Sequence, residues 1–357
     1  MALAGARVTF YGPPTREITD AWAKRAMDLP TLAEIDAELA GRQTAGDLIA
    51  QVKIDTDAWA HQVEQVRLKA LADDPADLPA LTRLAERLAP ALRRLFLQAV
   101  EATRAEIDAE ALAIALQSGQ HGQIEVLAQL DALATRLDGS ATILRQGFLE
   151  GAGLAYATLN AAGIRPRFDL VSPHAVTWAA ARGAELVVAV TEGTREAIRD
   201  LVRASVAGGR DVRATARAIR AVVGLDPRRA RAVEAFRARL EADGVAAEPL
   251  TLRTDRYAAA QLRDRATVIA RTETLTAEHR GQEALWTVAQ QQGLLDPGTT
   301  RRTWIVTDDD RLDAECEALD GAEAELDGDF PGGVSGPPLH PQCRCSESLV
   351  FKGDSPT

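Results

Sequence analysis

The chain has 357 residues, with 52 acidic against 41 basic side chains, a net charge of -11 and three cysteines. A hydrophobic fraction of 46% excludes disorder as the main state, and three cysteines are too few for a disulfide scaffold. The acidic balance argues against coating nucleic acid by bulk charge, and no apolar run approaches the ~18 residues of a membrane span. The stretch Met1 to Thr15 has no apolar core of secretory length, so a protein of a reducing compartment is expected.

Taken in chain order, the first half reads as helix. Leu81, Leu84, Leu88, Leu92 and Leu95 recur at three- and four-residue steps on one face, with Pro90 expected to kink or divide the run. Ile124, Leu127, Leu130, Leu133 and Leu137 form a second stripe, then Ile143, Phe148 and Leu154 a third. Pro166 to Pro173 marks a boundary. Beyond it Thr194 is read as the cap of a helix that Gly208-Gly209 stops, and Val212 to Val223 as the next. Asp226-Pro227 opens a helix that Gly244 closes, and Asp255 starts a long one running toward Gln292, ended by Gly293.

From Thr303 the pattern changes. Trp304-Ile305-Val306 and Leu349-Val350-Phe351 are β-prone runs flanking a short helix and an acidic, glycine- and proline-rich loop. The expected fold class is mainly α: a helical amino-terminal arm or bundle, then a helical domain ending in a small α+β module. The expected divisions are 1–163, a partner-binding arm or bundle; 164–254, a helical segment; 255–351, the long helix with its module; and 352–357, a tail.

Charge is uneven along the chain. Residues 195–240 hold 12 arginines and five acids, whereas residues 305–330 hold 11 acids and one arginine. These are either solvated faces or a basic surface for DNA or an acidic partner, and the two segments could also face each other.

All three cysteines fall in one stretch: Cys316, Cys343 and Cys345, with His340 three residues before Cys343. Residues two apart in a strand point the same way, so Cys343 and Cys345 would converge while Arg344 faces away. Three thiols and one imidazole are the ligand set of a structural zinc site, with Asp313, one helical turn before Cys316, as a substitute ligand. Against this, Leu312, Cys316 and Leu319 share a helical face, as an ordinary core cysteine would. Zinc, buried thiols and a disulfide all remain open.

Enzyme signatures are missing. There is no His-Glu-x-x-His, no phosphate-binding glycine loop, no nucleophile elbow and no zinc-deaminase pattern. Asp308, Asp309 and Asp310 could hold a divalent ion for nuclease chemistry, but three successive acids also suit a helix amino terminus.

Read together, several carboxyl-terminal groups carry a family resemblance. They are Ile269-Ala270-Arg271-Thr272-Glu273-Thr274, Gly281 and Trp286, then Trp304, Asp309-Asp310-Arg311 and Leu319-Asp320-Gly321. Pro337-Pro338-Leu339-His340-Pro341-Gln342-Cys343-Arg344-Cys345 completes the set. Over roughly residues 165–351 the chain resembles the phage head morphogenesis family, the Mu F-like minor capsid proteins of tailed phages. Many members place a histidine or a Cys-x-x-Cys pair where this chain has Asp313-Ala314-Glu315-Cys316, so Asp313 replaces the first cysteine of a pair.

The resemblance implies a structural minor head protein with no agreed catalytic activity. Such a protein associates with the portal and takes part in procapsid assembly, and in genome packaging or delivery. It further implies a virion location in the head near the portal, and assembly in the host cytoplasm. The expected partners are the portal protein, then major capsid or scaffolding protein and packaged DNA, with no membrane. Arg271, Glu273, Trp304, Asp309, Arg311 and Gly321 are the structural or partner-binding candidates it marks. Arg271 and Glu273 are two apart and cannot pair with each other on a helix. Arg271 is therefore expected either to bond to the terminal module and fix it on the long helix or, with Glu273, to stand solvated on an exposed face. The alternatives are a metal-dependent, nuclease-like enzyme using the acids near Asp309, and an arginine-rich nucleic-acid-binding module.

Overall fold

A computed structural model describes residues 80–167 and 173–351, all within the compact unit Asp73–Thr357. The expectations for residues 1–79 and 352–357 lie outside the described residues.

The elements run in order α1 (Ala80–Glu106), α2 (Ala109–Gln117), a short 3₁₀ turn, α3 (Ile124–Leu127), α4 (Leu130–Leu137), α5 (Ser140–Ala161) and α6 (Pro173–Ala207). They continue with α7 (Val212–Val222), α8 (Pro227–Ala242), α9 (Ala247–Gln291), β1 (Thr300–Ile305), α10 (Ala314–Glu317), β2 (Glu323–Ala324) and β3 (Ser346–Phe351). The described part is mainly α, with one small antiparallel sheet of order β2-β1-β3.

The leucine stripe of α1 is buried at Leu81, Leu84, Leu88 and Leu92. Pro90 neither divides nor ends this helix, because it stands on the exposed side, where the Glu86 carbonyl it leaves unbonded can meet water. One core gathers Phe96 and Val100 of α1, Leu133 of α4, Leu144 of α5, Ile198 of α6, Ile219 of α7 and Ala266 of α9. A second holds Ala155 and Leu159 against Trp286, with Leu349 and Phe351 packed on it.

Thr194 does not start a helix. It lies inside the 35-residue α6 and its hydroxyl donates back to the Val190 carbonyl at 2.8 Å, an alternative to capping open to any helical threonine. The other signals place helix ends where expected. Asp211 and Asp226 cap α7 and α8, and Gly209, Gly244 and Gly293 take positive φ at the exits of α6, α8 and α9. Helix α9 begins eight residues before Asp255, at Ala247, with Pro249 in its first turn, where a missing N–H costs no helical bond.

Helices α5 and α9 cross at glycines. A Cβ on Gly151 would stand 1.9 Å from the Glu278 carbonyl oxygen, and one on Gly281 would stand 1.8 Å from that of Phe148. The two backbones therefore touch, which only residues without a side chain permit.

Candidate functional site

The site begins on α9 with Arg271-Thr272-Glu273-Thr274. At 3.6 residues per turn, four successive side chains face four directions. Each reaches a different anchor. Arg271 donates to Glu86 of α1 at 2.6 Å, not to the terminal module as its sequence context suggested. Its guanidinium is turned toward α1, and Thr272 takes the module instead: its hydroxyl oxygen accepts the Gln342 N–H at 3.1 Å. Glu273 receives a forked pair from Arg182 of α6, at 2.7 and 2.9 Å. The Thr274 hydroxyl donates to the Ala85 carbonyl of α1 at 3.1 Å and to Ala270 at 2.8 Å. Burial pushes the Glu273 carboxyl upward while Arg182 opposes it.

More stitches continue along the same helix. The His279 Nε2–H donates to the Cys345 carbonyl at 3.2 Å, and Gln282 Nε2 donates to the Glu347 carbonyl at 2.8 Å. The Arg344 carbonyl accepts from Thr82 of α1 at 3.1 Å and from Thr307 at 2.9 Å. The strap 342–347 is thus tied down along its length. His279 is buried in this array.

The strap carries the thiols. Cys343 and Cys345 lie just before β3 rather than in an extended strand, and Gln342 turns the chain into them with φ +65°. Cys316 comes from α10. All three cysteines are free and buried, with their sulfur atoms within 4.8 Å of one another, and Cys316 Sγ is 3.7 Å from Cys343 Sγ. His340 Nε2 lies 3.1 Å from Cys316 Sγ, and its Nδ1–H donates to the Pro341 carbonyl at 3.0 Å. That second bond fixes the tautomer and leaves the Nε2 lone pair toward the sulfurs. The Asp313 carboxylate instead accepts the Glu315 N–H at 2.9 Å, capping α10.

Crowding makes the three thiols unequal. A hydrogen bond from the Cys345 thiol pulls Cys343 down to about 5, and burial pushes Cys316 up to about 12. Cys345, which keeps its proton to donate to Cys343, is pushed up as well. Three thiolates this close repel one another, and a divalent cation among them would remove that conflict. The buried cluster can hold a metal ion.

The remaining candidates shape the module around this cluster. Trp304 is buried on the inner face of β1, edge-on to Phe330 with centroids 5.2 Å apart. Gly321 turns the chain at φ +67° and donates its N–H to the Trp304 carbonyl at 3.0 Å. Arg344 faces away from the thiols, as expected, and both its terminal nitrogens meet the Asp309 carboxylate. That bond, with the Arg311 N–H at 2.9 Å, holds the Asp309 carboxyl well below the usual carboxylate range. Arg311 is otherwise exposed. Asp308 to Asp310 lie outside any helix, so they cap none.

Sequence reasoning missed Arg302. On the inner face of β1 it donates to Glu347 at 2.9 Å and to the carbonyls of Ser335 and Gly328, and stacks over Phe330 at 5.0 Å. This one guanidinium organises the acidic loop. Its signal was parity: Arg302 is two residues from Trp304, hence on the same face of the strand.

Among the described residues, five of the twelve arginines of the basic segment meet acids on other elements, outside the terminal module. Arg195 and Arg199 meet Glu125, Arg210 meets Glu234, Arg213 meets Glu110, and Arg229 meets Asp226 and Asp264.

Residues 196–348 match the family model described as Phage Mu protein F like protein. No match was found among curated proteins or among solved structures. The matched segment runs from α6 to the middle of β3 and includes the Arg271–Thr274 anchors, the thiols and His340. No helix among the described residues is long and apolar enough to cross a membrane.

Proposed function

We propose, from the Mu F-like character of residues 196–348, that this chain is a structural minor component of a tailed-phage head. In this reading it associates with the portal and takes part in procapsid assembly in the host cytoplasm. The observation that carries the reading is the Arg271–Thr274 set. The residues that mark the family are spent on joining α9 to α1, α6 and the terminal strap, which is work of holding rather than of chemistry. Asp309, the centre of the nuclease alternative, is engaged by Arg344, which supports a non-catalytic reading.

The thiol cluster takes zinc in this reading, held by Cys316, Cys343, Cys345 and His340. Such a closed site supplies no reaction; it would bind α10 to the strap. Asp313 is left as a helix cap.

Co-expression with the portal protein of the same phage tests the role. A complex that co-purifies, and heads that lack the protein when the gene is removed, are expected. The absence of a complex at micromolar concentration, or metal-dependent DNA cleavage lost in Asp309→Ala, would overturn it. Metal analysis of the purified chain is expected to give one equivalent of zinc, and far less would end the zinc assignment.

A further inference from the structure

Strand β3 is an edge of the sheet. The Trp304 N–H and carbonyl bond to Ala322 and Gly321, so its neighbours Arg301, Thr303 and Ile305 turn their backbone groups to β3. Those three stand opposite Val350, Ser348 and Ser346. Glu347, Leu349 and Phe351 therefore point their backbone groups outward. Helix α9 covers the start of this edge through His279 and Gln282. Beyond it, within the described structure, no hydrogen bond reaches the N–H or carbonyl of Leu349. An unpaired edge of this kind is a template for another strand.

Beside the open edge lies a groove of about 500 Å3, lined by Leu154 and Leu159 of α5, Leu81 of α1, Trp286 of α9, and Leu349 and Phe351 of β3. Asp308 stands at the same groove, exposed, within a stretch of 11 acids and one arginine. We propose that this groove is a strand-docking site. An extended segment of a partner protein pairs its backbone with Leu349 and sets alternate apolar side chains against the half-buried Leu154, Leu349 and Phe351. Lysine or arginine flanking that segment faces Asp308 and the acidic module. A second copy of this chain would bring the same acids to the contact, so charge selects a basic-flanked partner. The inference does not depend on the head reading.

The test uses the full chain and a short peptide alternating valine with threonine and carrying two lysines at each end. Hydrogen exchange at Leu349 is expected to slow by about tenfold at saturating peptide. Thr158→Trp, an exposed position lining the groove, is expected to weaken binding by about tenfold with the melting temperature unchanged. A glutamate-flanked peptide is expected not to bind. Unchanged exchange at millimolar peptide, full binding by Thr158→Trp, or equal binding of the glutamate peptide would overturn the proposal. So would a free chain already dimeric through a protected β3.

Discussion

Glu273 and Glu278 stand five residues apart on α9, and burial pushes both carboxyls upward. At Glu273 the facing Arg182 opposes that push, whereas the Glu278 carboxyl oxygens have no hydrogen-bond partner among the described residues. Burial, with Glu150 adding repulsion, pushes the Glu278 carboxyl well above the usual range, so it stays protonated where an exposed glutamate ionises. The sign follows. Above the unfolded value the unfolded chain releases this proton and the folded chain does not, so stability falls as pH rises toward the folded value. The slope is about 1.4 kcal/mol per pH unit within that window. Glu278→Gln removes the titration, so denaturant melts of the variant are expected to lack this slope above pH 5. For Glu273 the expectation is different. Glu273→Ala removes the forked partner of Arg182 and is expected to cost about 3 kcal/mol, the low end for a broken buried pair because Glu185 still meets Arg182 at 2.9 Å. Replacing Arg182 and Glu273 together by methionine is expected to recover most of that loss in the same melts.

At the scale of elements, the crossing of α5 and α9 is the most sequence-sensitive contact. Gly151→Ala or Gly281→Ala would drive a methyl group into a backbone carbonyl, which no side-chain rotation relieves. Each is expected to cost about 3 kcal/mol or more, the upper range for overpacking. Gly139→Ala is the control, because its added carbon meets only Leu95 at 3.6 Å, and thermal melts are expected to show little change. The ends of these helices were legible in sequence because Asp, Pro and Gly act locally. The start of α9 was not, since Glu248-Pro249 resembles a turn until the packing of Leu250 and Thr254 is known. Thr194 misled for the same reason: a hydroxyl suits a cap, and only the length of α6 shows that none was needed. Among site residues, the spacing of Cys343, Cys345 and His340 announced itself, whereas Thr272 is a bland hydroxyl whose partner lies 70 residues away. Arg302 and Glu347 meet only through strand pairing, which no local pattern specifies.

At the scale of the whole molecule, the terminal module rests on the helices through the apolar core around Trp286 and through single polar bonds at Thr82, Thr272, His279 and Gln282. A metal among the thiols would stiffen the strap that carries those bonds. Chelation, or Cys316→Ser, is accordingly expected to lower the melting temperature by about 2 °C, the equivalent of one or two kcal/mol for a chain of this size. An unchanged melt would mark the thiols as ordinary core residues. The basic segment offers less free charge than its composition suggests: with acids on other elements already against five of its twelve arginines, DNA binding by the full chain is expected to be weak. The glycine crossing bears on movement. Because main chain rests on main chain there, neither helix can slide or approach further without collision, and the freedom left to them is rotation about the contact. Any rearrangement of α5 against α9 would therefore be a swing with its hinge at Gly151 and Gly281, small near that point and largest at the helix ends.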